Sequence, residues 1–250
     1  MMVIVDAHVY VGPSLFGQDQ SLSDLQRRME VCGVEKAVLF PNRPPTYHLS
    51  PANDLVAQAI SSDPERFFGF CRVDPWQGSA AMDELKRGRE ELNLHGLLLH
   101  PWEEQFQVAS PLLSSLLEYA AEHALPVFIE TGYPLFAHPL DVAEVAKRYP
   151  ETTFIGSHGL QLDSSAFALV DAELAMFECE NLVMETSGMY APAVMEKVVQ
   201  ELGAQRLIFG SHSPWHNMQF EVERVKRLNL DTEQTAAVLG GNMLRVFDRR

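Results

Sequence analysis

Short apolar runs rich in β-branched and aromatic residues alternate along this chain with longer stretches whose apolar positions recur every three to four residues. The short runs fall at 3–7, 36–40, 67–71, 96–99, 127–129, 153–155, 182–185 and 206–209. They are nearly continuous in apolar residues, as strands are when both faces of a parallel sheet are covered. Helical periodicity occupies 22–32, 52–61, 79–92, 111–123, 139–148, 164–177, 192–202 and 217–228. Eight strand–helix units close a barrel, whereas an open doubly wound sheet does not require eight and would be expected to show the GxGxxG fingerprint missing here. The pattern therefore predicts one α/β domain over 1–250, a TIM (β/α)8 barrel. A closing helix is expected at 231–239, capped by Asp231 with Glu233 and Gln234 behind it, with Asn242 ending the pattern.

Composition narrows the function classes. The chain has 250 residues, 46% of them apolar, and 34 acidic side chains against 19 basic ones, a net charge of -15. A surface so acidic repels a phosphate backbone, so a small-molecule substrate is expected and nucleic acid is not. The N-terminal MMVIVDAHVYVG has neither a basic segment nor a long apolar core, which argues against a signal peptide or a membrane span. Cys32, Cys71 and Cys179 are far apart and lack CxxC spacing, so a reducing, cytoplasmic setting is expected. Association through the outer helices into a homo-oligomer is compatible with the pattern.

The candidate chemistry gathers where strands end. In such a barrel the C-terminal strand ends form the active face, and nearly every predicted strand here ends in a polar residue. Alternation in the first strand is expected to turn Asp6, His8 and Tyr10 to one side. His8 offers an imidazole ligand, and Tyr10 a phenol for the substrate. Glu130 directly follows a buried strand, where a carboxylate must be paired, protonated or metal-bound. His158, followed by Gly159, is a candidate proton relay or ligand. His212 stands before a rigid Pro214, with Trp215 as a possible pocket wall. His100 is a candidate for binding a substrate anion or carbonyl, and Arg72 for clamping a carboxylate or holding Glu130. The irregular stretches 42–50, 101–110 and 159–162 each follow a strand, and the first two are expected to shape specificity.

Taken in order, VDAHVYVG, GLLLHP, LPVFIETG, FIGSHG, NLVMETSG, RLIFGSHSPW and LGGN resemble the amidohydrolase-related proteins of the metal-dependent hydrolase superfamily. The resemblance spans the whole chain and points to the branch that holds aminocarboxymuconate-semialdehyde decarboxylase-like and other non-oxidative decarboxylases. It implies a metal-bearing barrel, with departures. The family's first-strand Asp-x-His-x-His becomes Asp6, His8 and Tyr10; its fifth-strand histidine becomes Glu130; its eighth-strand aspartate becomes His212; the sixth-strand histidine is retained as His158.

On that resemblance, His8, Glu130 and His212 are expected to hold one divalent ion, zinc first with manganese or iron as alternatives. His158 is then a fourth ligand or an acid/base. Glu130, His158 and His212 are the catalytic candidates, and Tyr10, Arg72, His100 and Trp215 the substrate-binding ones. Hydrolysis of a small ester, lactone or amide by metal-activated water is the first expectation. The alternatives are non-oxidative decarboxylation of a small carboxylic acid and a non-catalytic binding barrel that has lost its metal.

Overall fold

Eight parallel strands pair in sequence order, β1 beside β2 through β7 beside β8. The computed structural model describes residues 2–161 and 167–248. The strands are β1 (Val5–Val11), β2 (Lys36–Pro41), β3 (Phe67–Arg72), β4 (Gly96–Leu99), β5 (Val127–Ile129), β6 (Phe154–Gly156), β7 (Leu182–Glu185) and β8 (Leu207–Ile208). Although β8 is only two residues long, backbone bonds from Ala7 to Phe209 (3.0 Å) and from Tyr10 to Ser213 (2.8 Å) join β1 to the chain that follows it. The expected barrel is present.

The main outer helices are α1 (Leu22–Cys32), α2 (Leu49–Ser62), α3 (Ser79–Glu90), α4 (Ser114–Glu122), α5 (Pro134–Ala137), α6 (Pro139–Arg148), α7 (Phe167–Glu178), α8 (Pro192–Leu202) and α9 (Met218–Lys226). The short α5 has no counterpart in the sequence pattern. Residues 164–166 of the expected sixth helix, and residue 162 of the expected loop before it, lie outside the described residues. Among the described residues no helix is long and apolar enough to cross a membrane.

Two apolar layers follow from strand alternation. One lies between strands and helices. The other fills the barrel lumen with Val5, Ala7, Val38, Phe40, Phe70, Leu98, Phe128, Ile155, Val183 and Ile208. Burying each large side chain there contributes roughly 1.5–3 kcal/mol.

The lumen set fixes the site, because a residue two positions beyond a lumen residue faces inward at the mouth. Phe70, Leu98, Phe128 and Val183 thus hand the mouth Arg72, His100, Glu130 and Glu185, and all four are buried. The first strand departs from strict alternation. Val5 and Ala7 belong to the lumen, and a register irregularity between Asp6 and Val9 brings His8 and Tyr10 inward after them. Asp6 therefore does not share their face. Its carboxylate instead accepts the backbone N–H groups of His8 (3.1 Å) and Ser211 (2.8 Å), tying β1 to the chain after β8.

The closing segment is longer than expected. After α10 (Thr232–Ala236), capped by Asp231, the chain passes through a π-turn at Ala237–Gly241 and continues as α11 (Asn242–Asp248). The sequence pattern predicts an end at Asn242, yet the wider turn carries the chain through Gly240 and Gly241 into a further helix. Asn242 continues the helix, donating to the carbonyls of Ala204 and Leu207 (both 2.6 Å). Met243 then enters the lumen, and Phe247 stacks on Phe68 at 4.3 Å, closing the end of the barrel away from the site.

Candidate active site

One carboxylate oxygen lies at the focus of three imidazoles. Glu130 Oε1 is 3.2 Å from His8 Nε2, 3.4 Å from His212 Nε2 and 3.5 Å from His158 Nε2. Burial alone would raise the Glu130 carboxyl, but His8 and His158 pull it well below its usual value. Burial would depress His8, yet Glu130 and Glu185 outweigh that effect and lift it to about 10. Burial, with His8 and His158 beside it, pushes His212 well below the usual imidazole range. Without a metal ion these neighbours favour a charged Glu130, a protonated His8 and a neutral His212, and an ion bound there would take the place of the His8 Nε2 proton.

His8, Glu130 and His212 each present a ligand atom within 4.8 Å of the others, a set that can hold one metal ion. The fit is chemical as well as spatial. His8 Nε2, Glu130 Oε2 and His212 Nδ1 are buried without hydrogen-bond partners, an expensive arrangement for a polar group unless something else satisfies it. Two imidazoles and a carboxylate form a mixed nitrogen and oxygen set that suits zinc, manganese or iron(II).

Glu185, at the end of β7, orients this cluster and was not singled out from the sequence. Its Oε2 faces His8 Nδ1 at 3.2 Å and accepts the His158 backbone N–H (3.1 Å) and the Ser187 hydroxyl (2.8 Å). Because a carboxylate only accepts, His8 keeps its proton on Nδ1 and turns Nε2 toward Glu130. Position 210, two beyond Ile208, must be glycine, since a Cβ there would lie 2.3 Å from Glu185 Oε1. The Glu185→Gln substitution is expected to weaken metal affinity by about 10–100-fold, measured by competition with a chelating dye. Unchanged affinity in a normally folded variant would separate Glu185 from the ligand set.

His158 and His212 both occupy the left-handed backbone region, with φ of 54° and 55°. Neither is glycine, so each conformation costs roughly 1–3 kcal/mol and must be imposed by its surroundings. For His158 the surroundings are visible: Nδ1 donates to the Ser187 carbonyl (3.1 Å) and lies 2.9 Å from the Ser187 hydroxyl. The carbonyl can only accept, so the proton stays on Nδ1 and Nε2 is the exchanging nitrogen.

Above the cluster opens a cavity of about 310 Å³. Glu130, Thr131, His158, His212 and His216 line one part of it, and Tyr10, His100 and Glu103 another. Two aromatic pairs flank the mouth. Trp102 stacks on Tyr133 at 4.8 Å, and Phe16 meets Trp215 edge-on at 6.0 Å. Trp215 also lies parallel to the His212 ring at 6.0 Å.

The structure thus brings together His8, Tyr10, His100, Glu130, His158, His212 and Trp215 from the sequence-derived set. It does not bring Arg72 to the cavity wall. That guanidinium is fully buried, paired with Glu103 and with Glu104 (2.7 Å), and donates to the Pro41 carbonyl (3.2 Å). Neither Glu130 nor an open substrate position remains for it, because Glu103 and Glu104 from the loop after β4 take up its charge. The 101–110 loop supplies lining residues as expected, whereas 42–50 supplies none among those described. His216, just ahead of the helical run predicted at 217–228, lines the cavity with its ring 4.9 Å from that of His212.

Comparison with known proteins places the chain in a family and recovers its fold. The amidohydrolase family profile matches residues 15–249. The gamma-resorcylate decarboxylase of Polaromonas sp. (strain JS666) is 22% identical over 287 residues, covering 90% of this chain and 88% of its own. The crystal structure of 5-carboxyvanillate decarboxylase from Sphingomonas paucimobilis superposes with a TM-score of 0.79 at 16% identity, covering 99% of both chains. The dihydroxybenzoic acid decarboxylase of Polaromonas sp. JS666, with bound manganese and the inhibitor 2-nitroresorcinol, gives a TM-score of 0.78 at 16% identity, covering 99% of this chain and 97% of that one.

Proposed function

Because the chain belongs to the amidohydrolase family, we propose that it is a metal-dependent enzyme that removes CO2, without oxidation, from a small aromatic carboxylic acid. The observation that carries this reading is the cavity. Its 310 Å³ is at the small end of ligand pockets, enough for a single ring, and the Trp102/Tyr133 and Phe16/Trp215 pairs offer flat faces above the histidine cluster. The decarboxylase relatives, one aligned over 90% of the chain, support the same choice over ester, lactone or amide hydrolysis.

A divalent ion held by His8, Glu130 and His212 would supply Lewis-acid polarisation of the substrate's carboxylate and neighbouring oxygen. Manganese joins zinc as a leading choice, since the ligand set accepts both. The aromatic pairs bind and orient the ring and keep bulk water from its face. His158 carries a proton on Nε2 when protonated and delivers it to the ring carbon that bears the carboxylate. The bond from that carbon to the carboxylate then breaks, its electron pair restores the aromatic ring, and CO2 leaves. His158 regains its proton from solvent, so one proton is consumed for each CO2 released.

The test is direct. Protein loaded with manganese or zinc is incubated in D2O with 2,6-dihydroxybenzoate and simpler hydroxybenzoates, and in parallel with nitrophenyl esters and lactones. Metal-dependent CO2 release with deuterium at the vacated ring carbon is expected. Metal-dependent ester or lactone turnover without CO2 from any acid would overturn the reading and return hydrolysis to first place.

A further inference from the structure

We infer that Glu103 is a specificity-determining residue, reserving the cavity wall beside Tyr10 and His100 for a hydrogen-bond-donating group on the substrate and turning away a second carboxylate. The inference rests on the decarboxylase reading only in assuming that the substrate's first carboxylate lies at the His8/Glu130/His212 cluster.

Glu103 follows β4, across the barrel from the strand that leads to His212. Arg72 pairs with its Oε2, and His100 Nε2 lies 3.4 Å from its Oε1. The Glu103 backbone N–H donates to His100 Nδ1 at 3.3 Å, so a neutral His100 carries its proton on Nε2. Near these groups the Tyr10 ring lies 6.3 Å from that of His100, and the Tyr10 hydroxyl is buried with no hydrogen-bond partner. A phenolic hydroxyl that loses water without gaining a partner is costly, and Tyr10 lines the same cavity. The wall therefore offers one carboxylate acceptor, one unsatisfied hydroxyl and one imidazole N–H.

A substrate hydroxyl fits that trio, donating to Glu103 while accepting from Tyr10 or His100. A second substrate carboxylate does not fit. Among the described residues no lysine or arginine lines the cavity, and Arg72 behind the wall is already shared between Glu103 and Glu104. The incoming charge would face Glu103 with no cation to offset it, and like charges brought together at a desolvated surface disfavour binding.

The measurement is the affinity of manganese-loaded full-length protein for 3-hydroxybenzoate, benzoate and benzene-1,3-dicarboxylate, by tryptophan quenching and by calorimetry. In the wild type the hydroxy acid is expected to bind at least about tenfold more tightly than the dicarboxylate, the scale of a hydrogen bond to a charged group. Glu103→Gln is expected to bring that ratio to within about twofold or reverse it, since Arg72 gains free charge while the carboxylate is lost. Tyr10→Phe supplies a second reading if Glu103→Gln folds poorly, narrowing the gap between hydroxybenzoate and benzoate. A wild type that binds the three without preference, or a folded Glu103→Gln with the wild-type ratio, would overturn the inference; a uniform loss for all three ligands would mark Glu103 as merely structural. Failure of CO2 release with the binding preference intact would instead count against the decarboxylase reading alone.

Discussion

Glu130→Gln yields a folded barrel that no longer retains metal. Wild-type protein purified without chelators is expected to carry about one divalent ion per chain, and the variant close to none after dialysis. The reason lies in what the side chain does at the mouth. It is the single carboxylate in the His8, Glu130 and His212 set, and its Oε1 is within 3.5 Å of three imidazole nitrogens. Glutamine preserves the shape but presents a neutral oxygen, which binds a divalent ion far more weakly than a carboxylate does.

The expected loss of affinity exceeds the roughly 10–100-fold that follows from disturbing a group that merely orients a ligand. Turnover falls by roughly 10³-fold or more, since a Lewis-acidic ion contributes several kcal/mol to the transition state. Folding survives because His8 keeps Glu185 beside its Nδ1 at 3.2 Å and can shed the proton that faced Glu130 rather than remain a buried unpaired charge. The stability penalty should therefore stay below the ~3–5 kcal/mol typical of breaking a buried ion pair that cannot neutralise. Elemental analysis and thermal melting on the same preparations decide the matter. Full metal occupancy in a well-folded Glu130→Gln would remove Glu130 from the ligand set. His212→Ala should behave alike, while Glu104→Gln, outside the cluster, should keep its metal.

The parts of this site that sequence reveals are those governed by local alternation. Phe128 faces the lumen, so Glu130 faces the mouth, and the same two-residue step links Leu98 to His100. Glu185 obeys the identical rule from Val183 and is a carboxylate in an apolar strand, which was the available signal. It is obscured because Thr186 and Ser187 directly follow it and look like the polar strand end. The first strand shows the limit of alternation: the irregularity between Asp6 and Val9 follows from pairing with neighbouring strands, which no local pattern encodes. Position in a loop is less legible still. Glu103 and Glu104 are placed by Arg72, some thirty residues earlier, and once they are in place Arg72 is no longer available to a substrate. The closing helix fails differently, because a π-turn lets Gly240 and Gly241 continue a helix they would ordinarily end.

His158→Asn separates metal binding from proton transfer. His158 stands outside the three-residue ligand set, and its Nδ1 is committed to Ser187, which leaves Nε2 3.5 Å from Glu130 and open to the cavity. Asparagine can keep a polar contact with Ser187 but has no nitrogen that can take up and release a proton. It also tolerates the left-handed backbone better than most residues, so the φ of 54° adds little strain. Metal content should therefore stay near the wild-type level while turnover drops by about 10²–10⁴-fold, the range for loss of a positioned proton donor. On the proposed decarboxylase reading, the loss should fall on kcat more than on KM, since a proton donor would act on the transition state while the aromatic pairs would hold the ring in either case. Deuterium incorporation at the vacated carbon offers an independent readout, since the slow variant must still take its proton from somewhere and should show a larger solvent isotope effect if that transfer limits the rate. Loss of metal together with activity would make His158 a ligand, and unimpaired turnover would pass the proton to His216, whose ring lies 6.0 Å away on the same cavity wall.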